Sequence, residues 1–197
     1  MFSQKQNTIE AISPNLYWDP RFEIEAAKIL PGEFYVTEQH KMVVTVLGSA
    51  VCACVRDRAR GIGGMNHFML ADRGSGAQNP DSRAVKYGVY AMETLIEQLM
   101  CAGAQRKYLE AKVFGGAKLM QHGSGPDIGK LTSDFLISHL KSQKIKIAAK
   151  SMGGSYPRKV YYFPRTGLVL VRRLLKANNN TILEREKEYR INLDAWA

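Results

Sequence analysis

The sequence predicts a mixed-sheet, layered α/β sandwich. Two observations carry that expectation. Runs of β-branched and aromatic residues are interspersed with segments of helical periodicity, and several strand-like runs come as neighbouring pairs. A purely parallel sheet would instead separate its strands one by one with helices. At 197 residues the chain is long enough to bury a real core in one domain. The expected division is an N-terminal extension over 1–32, a main domain over 33–175 and a polar C-terminal tail over 176–197.

The first 33 residues are punctuated by Pro14, Pro20 and Pro31. They read as a loosely packed extension with one short helix around Arg21–Leu30, stopped by Pro31-Gly32. Glu33–Val36 and Lys41–Val46 read as strands, Ser49–Val55 as a buried strand of small and apolar residues, and Gly61–Leu70 as a glycine-opened strand. Residues 71–80 form a polar, glycine-containing loop. Ser82 is positioned to cap a helix whose Val85, Val89, Met92, Leu95, Ile96 and Leu99 recur at three- and four-residue steps, and Gly103 ends it. Leu109–Phe114 is the next strand, stopped by Gly115-Gly116. A loop over 123–129 leads to a second amphipathic helix at Leu131–Leu140, with Phe135, Leu136, His139 and Leu140 inward. Ile145–Ala149 is a short strand. Val160–Phe163 and Leu168–Val171 flank Pro164-Arg165-Thr166-Gly167, a hairpin signal. The tail from Ala177 is polar and is expected to wrap the surface or lack regular structure.

Composition narrows the function classes. Hydrophobic content of 45% and charged content of 23% are ordinary for a soluble globular protein. No apolar run reaches the ~18 residues of a membrane span, and the N-terminus lacks a basic-then-apolar leader pattern, so membrane insertion is not expected and the expected location is cytoplasmic. Three cysteines make no even disulfide framework, and Cys52-Ala53-Cys54 is too tight for the usual zinc spacing. No metal or cofactor is expected. The net charge of +10 favours an acidic partner. The basic residues are scattered and come with no nucleic-acid motif, so nucleic acid is not the expected partner.

One stretch can carry chemistry. Gly48-Ser49 is a small-residue turn entering a strand, and such a turn can hold the next side chain beside exposed backbone N–H groups able to stabilise an oxyanion. A cysteine there would need a base to form its thiolate. His67 lies seventeen residues after position 50, in the largely apolar Gly64-Met65-Asn66-His67-Phe68-Met69. Taken alone, a histidine in such a stretch is more often a satisfied core residue than a catalyst.

The Leu47-Gly48-Ser49-Ala50 turn with His67 at that spacing resembles the signature of CheD, the chemoreceptor glutamine deamidase family. Tyr87-Gly88-Val89-Tyr90-Ala91-Met92, Ala111-Lys112-Val113-Phe114-Gly115-Gly116-Ala117 and Gly153-Gly154-Ser155 resemble further segments of that family, in the same order. The resemblance spans roughly residues 33–171. It implies a fold like that of toxin-type cysteine deamidases and a Cys-His-Thr site that converts receptor Gln to Glu. On this chain it implies Ala50 at the nucleophile position, His67 as base and Thr45 as orienting residue, with Gly48, Ser49, Val51 and Asn66 around the substrate and oxyanion. Thr45 lies five residues before Ala50, whereas the family threonine can also fall six before, where this chain has Val44. The implied partners are the cytoplasmic bundle of methyl-accepting chemotaxis receptors and a CheC-like phosphatase. Ala71, Lys150-Ser151-Met152 and Pro126-Asp127-Ile128-Gly129 depart from the family pattern.

The alanine at position 50 leaves three readings open. The cysteine was replaced by hand in an otherwise intact motif, the chain is a natural member that binds without turnover, or the nucleophile has moved to Cys52, about 6.6 Å along the strand.

Overall fold

The computed structural model describes residues 15–70, 82–119, 127–175 and 179–195. Among the described residues, ten strands form two mixed sheets. In chain order they are β1 (Asn15–Asp19), β2 (Ile24–Lys28), β3 (Phe34–Thr37), β4 (Met42–Leu47), β5 (Val51–Asp57), β6 (Ile62–Asn66), β7 (Leu109–Gly115), β8 (Lys146–Met152), β9 (Arg158–Phe163) and β10 (Leu168–Arg173). The helices are α1 (Arg83–Cys101), α2 (Ile128–Ser142) and α3 (Asn179–Ala195). The first sheet runs β1-β2-β4-β9-β10 and the second β3-β6-β5-β7-β8. Parallel pairings join β2 to β4 and β7 to β8, and the other ladders are antiparallel. This is the mixed-sheet α/β sandwich that the interspersed and paired strands predict.

Side-chain alternation along β5 explains the layering. Val51, Ala53 and Val55 pack with Leu95 and Leu99 of α1 and Leu136 and Leu140 of α2. Ala50, Cys52 and Cys54 face the opposite way, into a core shared with Val43, Leu47, Val160 and Tyr162 of the first sheet. A strand buried on both faces reads as an unbroken small-apolar run, as this one does. Ser82 Oγ accepts from Val85 N–H and caps α1, and Asp127 caps α2 in the same way.

Two expectations fail. Residues 21–30 form no helix. Ile24–Lys28 is a strand between β1 and β4, with Ala26 and Ala27 fully buried. Ala and Glu favour helix locally, but two ladders of backbone hydrogen bonds outweigh that weak preference. Of the two alternatives for the tail, the lack of regular structure fails: it contains a regular helix, α3, rich in strong helix formers yet largely polar, so no apolar periodicity marks it. The loop expected over 71–80 and residues 123–126 of the second loop lie outside the described residues.

Candidate active site

The chain crosses from the first sheet to the second at Gly48-Ser49-Ala50, between β4 and β5. The glycine turn after β7 clasps this crossing. Gly116 N–H donates to Ala50 O and Ala117 N–H to Gly48 O, both at 2.8 Å. A third turn backs the second, with Gly153 N–H to Gly115 O at 2.9 Å and Lys118 N–H to Gly154 O at 2.8 Å. The buried Arg158 guanidinium ties them together, donating to Gly115 O at 2.7 Å, Ser151 O at 2.6 Å and Gly153 O. The carbonyls of Gly48 and Ala50 are thus committed to the neighbouring turn, which leaves the N–H groups of residues 48–50 to bind something else.

His67 follows β6 and is held by its backbone to the β2–β3 connection. Gly32 N–H donates to His67 O at 2.7 Å, and His67 N–H to Glu33 O at 3.0 Å. Thr45, on β4, lies 2.8 Å from His67 Nδ1 through its Oγ1. The same hydroxyl donates to Ile29 O at 2.9 Å. A hydroxyl has one proton, and Ile29 takes it, so Oγ1 accepts from a protonated Nδ1. The neutral ring then carries its lone pair on Nε2. Burial alone drives the His67 pKa down to about 3, which keeps the ring neutral at ordinary pH. Nε2 is buried and has no hydrogen-bond partner among the described residues. Val44, the other residue weighed for the threonine's place, packs on the far side of the sheet with Ile24, Met42 and Tyr161.

Val51 pairs with Phe68, with both hydrogen bonds present at 2.9 and 3.0 Å. Cys52 therefore stands opposite His67, and position 50 is its diagonal neighbour on the same face, ~7 Å away by strand geometry. Cys52 Sγ nevertheless makes no hydrogen bond to Nε2. Cys52 and Cys54 are both buried, and burial pushes the Cys54 thiol pKa well up. These two thiols are placed as core residues.

The N–H groups of the crossing converge on a carboxylate from α3. Glu186 Oε1 accepts from Gly48 N–H at 2.8 Å and Ala50 N–H at 3.0 Å, while Oε2 accepts from Ser49 N–H at 2.9 Å and Ser49 Oγ–H at 2.6 Å. A Cβ on Gly48 would fall within 2.9 Å of both Glu186 oxygens. Thr45, His67 and Glu186 line a cavity of about 420 Å³, together with the cationic Lys28, Lys159 and Arg185.

Of the residues singled out in the sequence, the fold brings Thr45 and His67 to the cavity wall, and the N–H groups of Gly48, Ser49 and Ala50 to Glu186 beside it. Val51 and Asn66 are directed elsewhere. Val51 N–H is taken by Phe68 O and its side chain packs in the helix-covered core. Asn66 accepts from Ala53 N–H at 3.0 Å and donates to Ala91 O at 3.0 Å, tying β6 to β5 and α1. Ile29 and Glu186 build the site without standing out in the sequence, and Arg158 does so from a segment that the sequence marks only by its resemblance to the family. Arg158 had the third glycine turn as a nearby signal. Glu186 had only its Glu- and Lys-rich, helix-favouring surroundings.

Known proteins resemble this chain along most of its length. A family model described as CheD chemotactic sensory transduction matches residues 69–173. The chain is 50% identical over 180 residues to a probable chemoreceptor glutamine deamidase CheD of Thiobacillus denitrificans, covering 91% of this chain and 89% of that protein. It is 50% identical over 182 residues to one of Janthinobacterium sp. (strain Marseille), covering 92% and 90%. It is 49% identical over 187 residues to one of Methylobacillus flagellatus, covering 94% and 92%. With similarity of that extent along nearly its whole length, the chain belongs to the CheD family.

Proposed function

We propose that this fold is built to deamidate glutamine side chains of chemotaxis receptors, and that the chain with Ala50 binds at that site without completing the reaction. The observation that carries the reading is the locked, neutral His67 with a bare and unpartnered Nε2, diagonal to position 50 and beside a row of backbone N–H donors. In the reaction that the relatives' name describes, a thiol at position 50 gives its proton to His67 Nε2 and the sulfur attacks the side-chain carbonyl carbon. The developing oxyanion meets the N–H groups of residues 48–50. The C–N bond breaks, and the proton returns from His67 to the departing ammonia. Water, deprotonated by the same Nε2, then cleaves the thioester to leave Glu and regenerate the thiol. Thr45 orients the ring throughout. Ala50 has no sulfur and can form no acyl-enzyme.

The cationic Lys28 and Lys159 of the cavity lining, and the overall +10 charge, suit an acidic receptor surface in the cytoplasm. The missing sulfur favours a second reading, in which the chain is an adaptor that docks receptors or a CheC-like phosphatase. The test is mass spectrometry of a receptor signalling domain incubated with the chain and with its Ala50→Cys variant. The variant is expected to convert Gln to Glu, and the unmodified chain to bind without conversion. Deamidation by the unmodified chain would overturn the inactive reading, and its abolition by Cys52→Ser would move the nucleophile to Cys52. An Ala50→Cys variant that binds but never converts would leave the adaptor role.

A further inference from the structure

The four hydrogen bonds to Glu186 have no role in the reaction just described, and they occupy its oxyanion donors. A glutamate on a helix is also what deamidation of a helical glutamine leaves behind. We propose that α3 is a product mimic carried on the same chain: Glu186 fills the place of the reacting side chain, and α3 must leave before a receptor helix can enter. This rests on the deamidase reading for its purpose, but the occlusion can be measured without turnover.

Three observations support it. First, the carboxylate is held as a ligand, by three consecutive backbone N–H groups and one hydroxyl, with Glu186 itself only 5% exposed. Second, among the described residues α3 has little else to hold it. Thr181, Glu184, Arg185, Lys187, Glu188, Ile191 and Asn192 are exposed. The other anchor among them is Tyr189, whose ring lies against Tyr87 at 6.3 Å between centroids, with the two hydroxyls hydrogen-bonded, and packs over Gly32 and the core around Val43 and Leu47. A helix most of whose described side chains face solvent can detach while the rest of the domain stays folded. Third, Ile182, Arg185 and Glu186 of α3 line the same cavity as His67 and Thr45, so the helix stands at the mouth of the site.

The experiment is a competition in trans. A fluorescent peptide of residues 179–195 is titrated into the full-length chain and into its Glu186→Ala variant, alongside the same peptide carrying Glu186→Ala. The native peptide is expected to bind the variant chain at least tenfold more tightly than the unmodified chain, because its site is no longer filled in cis. The altered peptide is expected to bind neither. Hydrogen exchange should show faster amide exchange at residues 48–50 and along α3 in the variant, with β5 and β7 as protected as before. Equal binding of the native peptide to both chains, or an α3 equally protected in both, would overturn the proposal. Ala50→Cys with and without Glu186→Ala then reads receptor deamidation, with a gain of at least tenfold expected from releasing α3. If the competition succeeds and neither form turns over, the deamidase reading fails and the occlusion stands.

Discussion

Thr45 Oγ1 accepts a hydrogen bond from His67 Nδ1 at 2.8 Å, and it does so because its own proton is already given to Ile29 O at 2.9 Å. The threonine therefore selects a tautomer as well as an orientation. Thr45→Val would strand the Nδ1–H and the Ile29 carbonyl in a buried site, at a cost of about 2 kcal/mol. In the Ala50→Cys background it should slow turnover by roughly two orders of magnitude, the lower range of what a well-placed base contributes. Thr45→Ser keeps both hydrogen bonds and should restore most of the rate. Imidazole nitrogen NMR shifts give the independent readout. The chain with Thr45 and its Thr45→Ser variant should show a protonated Nδ1 and a bare Nε2, and the Thr45→Val variant a mixture. A Thr45→Val variant with the original tautomer and full activity would refute the assignment.

The burial of His67 makes stability depend on pH. Its folded pKa of about 3 lies below the ordinary value of 6.5, so between these values the unfolded chain binds a proton that the folded chain refuses. Stability therefore falls as pH drops from 6.5 toward 3, by about 1.4 kcal/mol per unit from this residue, and rises again on returning to neutrality. Urea unfolding at stepped pH should show that slope reduced by one proton in His67→Gln. A His67 ring that titrates near 6.5 in the folded protein would contradict it.

How far the site could be read from the chain follows from where its partners lie in sequence. The crossing turn and His67 are local and carry their own spacing, so they stand out. The choice between Val44 and Thr45 does not, because it depends on which face of β4 meets the second sheet, and only the pairing of β4 with β2 and β9 settles that. The strand at Ile24–Lys28 was hidden by its helix-favouring Ala and Glu. It matters to the site, since Ile29, at its end, takes the Thr45 proton. Glu186 was the least accessible of all. It reaches residues 136 to 138 positions away, from a helix with no apolar stripe.

Arg158 should be the residue whose loss unravels the glycine turns. Its guanidinium serves the carbonyls of Gly115, Ser151 and Gly153, and the residue is 3% exposed. Arg158→Met withdraws that donor from all three carbonyls, of which Gly115 O keeps Gly153 N–H, while preserving most of the apolar stem, and should cost about 3 kcal/mol. Arg158→Lys should recover only part of this, since one ammonium on a flexible stem cannot span the fork. Chemical denaturation of the three chains checks it. An Arg158→Met variant within about 0.5 kcal/mol of the original would show that water or main-chain adjustment satisfies the carbonyls instead.

Gly115 and Gly153 separate backbone strain from close approach. Both have positive φ, 114° and 70°. A Cβ at Gly153 meets nothing within 4 Å, whereas one at Gly115 runs into Ala50 O, with Val51 Cα 2.8 Å away. Gly153→Ala should therefore cost only the left-handed conformation, about 1 kcal/mol. Gly115→Ala adds a clash against main chain that cannot rotate away, and its φ lies beyond the left-handed helical well, so about 3 kcal/mol is expected. The displacement falls on Ala50 itself, whose N–H points at the site. Gly115→Ala should thus also loosen the hold on Glu186 and speed amide exchange along α3, while Gly153→Ala leaves α3 protected. Equal destabilisation by the two alanines, with α3 unchanged in both, would mean that the β7 turn does not set the geometry of the N–H array, and that Gly48 and Ser49 hold it without support.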